Sequence, residues 1–183
     1  KNYVNTENPK RAIVVGGGFI GLEMAENLHD LGIQVDVVEM ANQVMAPLDF
    51  SMAAIVHRQL TDKGVGLHLE DGVSRFEEKD GGVTVHLSCK QIATDMVLLS
   101  IGVRPETKLA KDAGLAIGER GGIAVNDYMQ TSDADIYALG DAVEVRHLVT
   151  GQPALIPLAG PANKQGRIVA DNIVFGNKKK YPG

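Results

Sequence analysis

Residues 11–39 constrain the fold more than any other stretch. Arg11-Ala12-Ile13-Val14-Val15 leads into Gly16-Gly17-Gly18-Phe19-Ile20-Gly21, then Leu22-Glu23-Met24-Ala25-Glu26-Asn27-Leu28, and after Leu31-Gly32-Ile33 comes Gln34-Val35-Asp36-Val37-Val38-Glu39. Ile13, Val14 and Val15 form a short β-branched apolar run, the pattern of a strand buried on both faces. Gly16 permits a tight turn. Gly18 lacks a Cβ, so a pyrophosphate can approach the backbone, and Gly21 lets a helix lie close on a sheet. Leu22, Met24, Ala25 and Leu28 fall at helical spacing on one face, and Gly32 stops the helix. This strand, glycine turn, helix and strand predict a dinucleotide site at a helix N-terminus, where unpaired N–H groups and the helix dipole favour phosphate. Glu39 follows Gly21 by 18 residues, where an acid accepts hydrogen bonds from the adenosine ribose. A 2′-phosphate beside it would meet a like charge at a cost on the order of 1–4 kcal/mol at ~4 Å. With Met40 next and no Lys or Arg nearby in sequence, NADH is expected over NADPH.

Downstream, Asp49 or Ser51 is expected to cap a helix whose inner face carries Met52, Ile55, Val56 and Leu60, ended by Lys63-Gly64. Strands follow at 65–69, 73–78 and 83–87, with a hairpin turn at Asp80-Gly81-Gly82 and another turn at Cys89-Lys90. Residues 96–101 form a continuous apolar run, expected to be a central strand buried on both faces. Residues 1–10 are expected to be a lead-in strand or linker. The chain divides, on this reading, into residues 8–102 and 103–183. The second part holds a crossover at 102–105, a helix at 108–113 and strands at 123–125 and 136–139. A hairpin follows within 143–156, and a helix starting at Pro161 would bury Ala162, Gly166, Val169, Ala170 and Ile173 and stop at Gly176. Lys178-Lys179-Lys180 is expected to be a solvated tail.

A 183-residue chain with 44% hydrophobic and 22% charged residues is globular, and a net charge of −5 gives no support to nucleic-acid or anionic-membrane partners. No apolar run approaches the ~20 residues of a membrane span. Residues 1–5 lack the apolar stretch of a signal peptide, so the cytoplasm is expected. A single cysteine, Cys89, allows no intrachain disulfide, and without a CxxC it is expected to be inert. His29, His57, His68, His86 and His147 have no metal-ligand spacing.

The glycine stretch Val15–Glu23, together with Ser100-Ile101-Gly102-Val103-Arg104-Pro105, Gln130-Thr131-Ser132 and Ile136-Tyr137-Ala138-Leu139-Gly140-Asp141-Ala142, resembles the FAD- and NAD(P)-dependent pyridine nucleotide-disulfide oxidoreductases. Val145-Arg146-His147 and residues 156–167 resemble the branch of coenzyme A-disulfide reductases, NADH-dependent persulfide reductases and NADH oxidases or peroxidases. The resemblance implies an α/β fold: a Rossmann-like parallel sheet with a β-meander (the NAD-binding domain), plus the C-terminal part of an FAD-binding domain. It implies that Gly16, Gly18, Phe19 and Gly21 belong to the pyrophosphate loop and that Glu39 holds the ribose. Ile20 and Glu23 would lie near the nicotinamide, and Gly102 against NAD. Asp141, with Ala142, would face an FAD ribityl hydroxyl, while Leu158 and Ala159 would line the flavin.

The family's first FAD glycine loop, its redox cysteine and its dimerisation domain are not in this sequence. The chain therefore resembles a piece of a longer enzyme, a homodimer by that resemblance. In that parent NADH reduces FAD, the flavin reduces a cysteine sulfur, and the thiolate attacks a small disulfide or persulfide. The piece itself carries no catalytic residue and is expected to bind NADH weakly and to retain little or no FAD. An NADH oxidase or peroxidase using oxygen or peroxide, and a standalone NADH-binding module without catalysis, remain open from the residues alone.

Overall fold

The computed structural model describes residues 1–79 and 81–183, except the side chain of Lys79. Asp80, expected in a hairpin turn, lies outside the described residues. The chain divides into two compact units, 1–102 and 103–183.

The first unit runs α1 (Asn2–Glu7), β1 (Arg11–Val15), α2 (Phe19–Asp30), β2 (Gln34–Val38), α3 (Phe50–Asp62), β3 (Gly66–His68), β4 (Arg75–Lys79), β5 (Gly82–His86), β6 (Gln91–Thr94) and β7 (Met96–Leu99). Four strands pair in parallel in the order β3-β2-β1-β7, and β4-β5-β6 form an antiparallel meander. Alternation along the strands assigns the two faces of the parallel sheet. Ala12, Val14, Val35 and Val37 pack with Ala25 and Leu28 of α2 and Leu60 of α3. Ile13 and Val38 face the other way, onto Val85, Leu87 and Ile92 of the meander segment. Each fully buried Val or Ile here contributes about 1.5–3 kcal/mol. The β-branched run at 13–15 is thus explained: a strand covered by helices on one side and a meander on the other needs apolar residues at consecutive positions.

Polar side chains interrupt this core at Asp36, His86 and Thr94. Asp36 sits opposite Ile13 in register and is 5% exposed. Its carboxylate accepts from Arg11 Nη2 at 2.9 Å and Nε at 3.2 Å, and lies 2.8 Å from His68 Nε2. Burial works against the charged form, but the hydrogen bonds from His68 and Arg11 and the guanidinium charge outweigh it, holding the Asp36 pKa below its ordinary value.

Three expectations for this unit are corrected. Residues 2–7 are helical, not a strand or linker. Val4 packs on the helix-side core, the Tyr3 hydroxyl donates to Asp95 O at 3.0 Å, and Asn8 closes the helix in the left-handed region. On α3, Asp49 stands at the N-cap without a side-chain capping bond. Ala53 is the buried position, with Val56 and Leu60 half-buried, whereas Met52 and Ile55 are 54% and 63% exposed. Finally, β7 ends the parallel sheet; its residues are half-buried to exposed, with Leu99 56% and Ile101 75% exposed.

The second unit contains α4 (Lys108–Asp112), β8 (Ile123–Ala124), a 3₁₀ turn at Gly140–Ala142, β9 (Val143–Arg146), β10 (Pro153–Ala154) and α5 (Ala159–Phe175). β8 pairs in parallel with β9, and β9 pairs antiparallel with β10. Met129, Val143, Val145, Ile168 and Val169 form its apolar core.

Four readings change here. Residues 136–139 make one bridge, Gln130 to Tyr137, instead of a strand, because their backbone pairs locally with Met129 and Thr131. Helix α5 begins at Ala159 with Leu158 as N-cap, so Pro161 is its third residue; the N–H is unpaired there too, and proline is tolerated for the same reason. The buried face is Gln165, Ile168, Val169 and Asn172, while Ile173 is 62% exposed. The Lys178–Lys180 segment is docked: Asn172 Oδ1 accepts from the N–H groups of Lys178 and Lys179, and Lys180 Nζ reaches Asp127 at 3.0 Å.

Candidate dinucleotide site

β1 delivers the chain into the glycine turn at the carboxyl end of the parallel sheet. The strand order reverses here, with β2 and β3 on one side of β1 and β7 on the other. Such a reversal leaves a crevice beyond the strand ends, the place where open α/β sheets bind ligands. Gly16 adopts φ +106° and donates its N–H to Val38 O at 2.8 Å; a Cβ on it would stand 2.4 Å from Ser100 O. At Gly21 a Cβ would stand 1.9 Å from Gly16 O, so only glycine lets the first turn of α2 close on the loop. Gly18 is the N-cap of α2, with open space where its side chain would be. Among the described residues, no side chain makes a capping bond to this helix and its own first turn carries no acid.

Glu39 lies just past β2 and is half-buried. Its Oε2 accepts from Gly17 N at 2.8 Å and its Oε1 from Ala41 N at 2.9 Å. The acid therefore braces the glycine loop as well as standing beside it.

A cleft of about 610 Å³ collects Gly16, Gly18, Glu39 and Gly102. Val15, Val38 and Leu99 at the strand ends form part of its lining, and Met40, residues 71–76, Ser100 and Ile101 complete it. The other expected residues of this unit lie elsewhere. Phe19 and Ile20 open α2 and are half exposed, and Glu23 is exposed one turn on. Phe19 and Glu23 line a separate cleft of about 380 Å³ with Leu22 of α2 and Val56 and Leu60 of α3. Sequence reasoning missed Ser100 and the 71–76 segment. Ser100 had a signal, its place in the Ser-Ile-Gly stretch before the crossover. The 71–76 segment had none, because the meander's fold brings it there.

In the second unit, Asp141 and Ala142 lie in the 3₁₀ turn and Leu158 and Ala159 at the start of α5. The two are joined by Gly140 N donating to Gln165 Oε1 at 2.7 Å, with Gln165 only 2% exposed. Asp141, Leu158 and Ala159 are exposed, and the first turn of α5 has no acid. The 3₁₀ turn is thus tied to the second turn of α5, while Leu158 and Ala159 stand at the helix start. Cys89 is exposed in the turn between β5 and β6. Among the described residues, no group of three or more His, Cys, Asp or Glu could hold a metal ion, and no helix is long and apolar enough to cross a membrane.

Residues 1–166 match the pyridine nucleotide-disulphide oxidoreductase family. The chain belongs to this family. It is 41% identical over 181 residues to the NADH oxidase of Methanocaldococcus jannaschii, covering 98% of this chain and 40% of that protein. Among solved structures, the reduced CoADR-RHD of Bacillus anthracis superposes with a TM-score of 0.94 at 52% identity, over all of this chain and 32% of that one. The NAD-dependent persulfide reductase of A. fulgidus gives 0.92 at 42%, over 97% of this chain and 33% of that one. The α/β fold with a Rossmann-like sheet is thus that of the family. The chain spans about two fifths of the length of the curated relatives it matches.

Proposed function

We propose that residues 8–102 are the NAD-binding domain, and residues 103–183 the C-terminal part of the FAD-binding domain, of a flavoprotein reductase. The parent would pass reducing equivalents from NADH to a disulfide or persulfide, as a coenzyme A-disulfide reductase does. The observation that carries this is the convergence of Gly16, Gly18, Glu39 and Gly102 on one cleft at the strand-order reversal. The local chemistry fits the cofactor: an open backbone at Gly18, a helix start without an acid, and a carboxylate for the ribose hydroxyls.

When bound, NADH supplies a hydride and FAD accepts it. The chain's own residues bind and orient. Gly16, Gly18, Phe19 and Gly21 present the loop and helix start to the pyrophosphate, and Gly102 packs against NAD. Ile20 and Glu23, which lie outside this cleft, would be reached only by a nicotinamide that extends past the start of α2. Asp141 and Ala142 hold the FAD ribityl chain. Leu158 and Ala159 line the flavin, and the N-terminus of α5 stabilises negative charge on it. On the same reading the parent is a cytoplasmic homodimer with small-molecule acceptors and no nucleic-acid or membrane partner. A second reading, with oxygen as acceptor, is favoured by the likeness to an enzyme named NADH oxidase.

Calorimetric titration with NADH and NADPH tests the cofactor assignment. NADH should bind about tenfold or more tighter than NADPH, and Glu39→Ala should weaken NADH binding and shrink the difference. Equal affinity for both, or binding unaffected by Glu39→Ala, would contradict the assignment.

A further inference from the structure

The peptide plane between Gly16 and Gly17 is gripped from both sides. Its carbonyl oxygen lies 2.9 Å from Ser100 Oγ, whose single proton is shared with Val15 O, also at 2.9 Å. Its N–H donates to Glu39 Oε2 at 2.8 Å. In a trans peptide the C=O and N–H point in opposite directions, so fixing both ends fixes the rotation of the whole plane. Ser100 follows β7 and Glu39 follows β2, the two strands that flank β1. The backbone of Ser100 adds a third tie, its N–H donating to Val15 O at 2.8 Å. The rotation matters because the Gly16 carbonyl then lies where a Cβ on Gly21 would meet it, under the first turn of α2. If this plane turned over, the carbonyl would face outward and present a negative dipole where the phosphates are to sit.

Resting on the dinucleotide reading, we infer that Ser100 is a positioning residue: with Glu39 it locks the Gly16–Gly17 peptide so that the phosphate-binding turn is formed before the cofactor arrives. Glu39 then has two tasks, the ribose and the loop. Ser100 also lines the cleft, so amide exchange at Gly16 and Gly17 is what separates its hold on the loop from contact with the cofactor.

The test is calorimetry with NADH on the chain and its Ser100→Ala and Ser100→Thr variants, with amide hydrogen exchange alongside. Ser100→Ala should weaken NADH about five- to tenfold, the range expected for one hydrogen bond. Exchange at Gly16 and Gly17 should accelerate, while Val14 and Val37 in the neighbouring strands keep their rates. Ser100→Thr, which retains the hydroxyl, should restore NADH affinity to within about twofold. Unchanged NADH affinity in Ser100→Ala, or a threonine variant as weak as the alanine one, overturns the role of Ser100 and leaves the cofactor site standing. Failure of the unsubstituted chain to bind NADH overturns both.

Discussion

The two units are held by different means. In the first, two apolar layers sandwich a parallel sheet, and the strands are specified by filling volume on both faces. The second has one apolar cluster and short strands, and buried polar side chains do much of the fixing. Glu144 accepts from the N–H groups of Glu119 and Arg120, Gln165 from Gly140, and Asn172 makes four bonds to backbone groups of Tyr128, Lys178 and Lys179. An apolar layer tolerates small changes in shape, but a side chain that satisfies several backbone groups leaves them all unpaired when it goes. The first unit should therefore yield gradually to core truncation, and the second abruptly to loss of a single amide or carboxylate.

Asp36 is the buried carboxylate among the polar side chains, with His86 and Thr94, that interrupt the first unit's apolar pattern, and Asp36→Asn breaks the comparison hardest. It leaves Arg11 and His68 beside a neutral group and should cost about 3 kcal/mol in chemical denaturation at pH 7. The sign of its pH dependence follows from the lowered pKa. The stabilisation is fully present above the unfolded aspartate value of about 3.9 and is lost as pH falls through the folded value. The gap between parent and variant should thus close in strong acid, and a gap that widened there would contradict the assignment.

Asn172→Ala should cost about 2 kcal/mol, by leaving backbone groups of Tyr128, Lys178 and Lys179 without this partner, and its effect on hydrogen exchange should stay within residues 103–183. A loss under about 0.5 kcal/mol would show that the polar bonds are not what fixes this unit. Ile13→Val, removing one methylene from the meander-side core, should cost only about 1 kcal/mol. A larger loss than for Asn172→Ala would invert the comparison. Native-state hydrogen exchange sharpens it further: strands β1 and β2 should be protected more strongly than β8 and β10, which are two residues long each.

The same contrast explains what could be read from residues alone. The run Ile13-Val14-Val15, the three glycines and the alternation in 83–87 state their structure directly, because volume and backbone freedom act locally. Residues 96–101 were as apolar as a central strand but form the sheet's edge, since composition does not say which strand has neighbours on both sides. On α3 and α5 the inner faces were misplaced for a common reason. An apolar criterion passes over Ala53 for larger residues such as Met52 and Ile55, and it ignores Gln165 and Asn172, whose burial depends on backbone partners distant in sequence. At the candidate site, Gly16, Gly18 and Glu39 were legible from spacing. The grip of Ser100 on Gly16 was not, because it joins residues 84 apart in sequence.

The most direct test of the central claim is amide chemical-shift mapping of the chain during titration with NADH. Shifts should concentrate at Gly16–Gly21, at Glu39–Ala41, along 71–76 and at Ser100–Gly102, the walls of one cleft in the first unit. Shifts confined to residues 103–183, or a saturating titration that leaves Gly16–Gly21 unmoved, would contradict it.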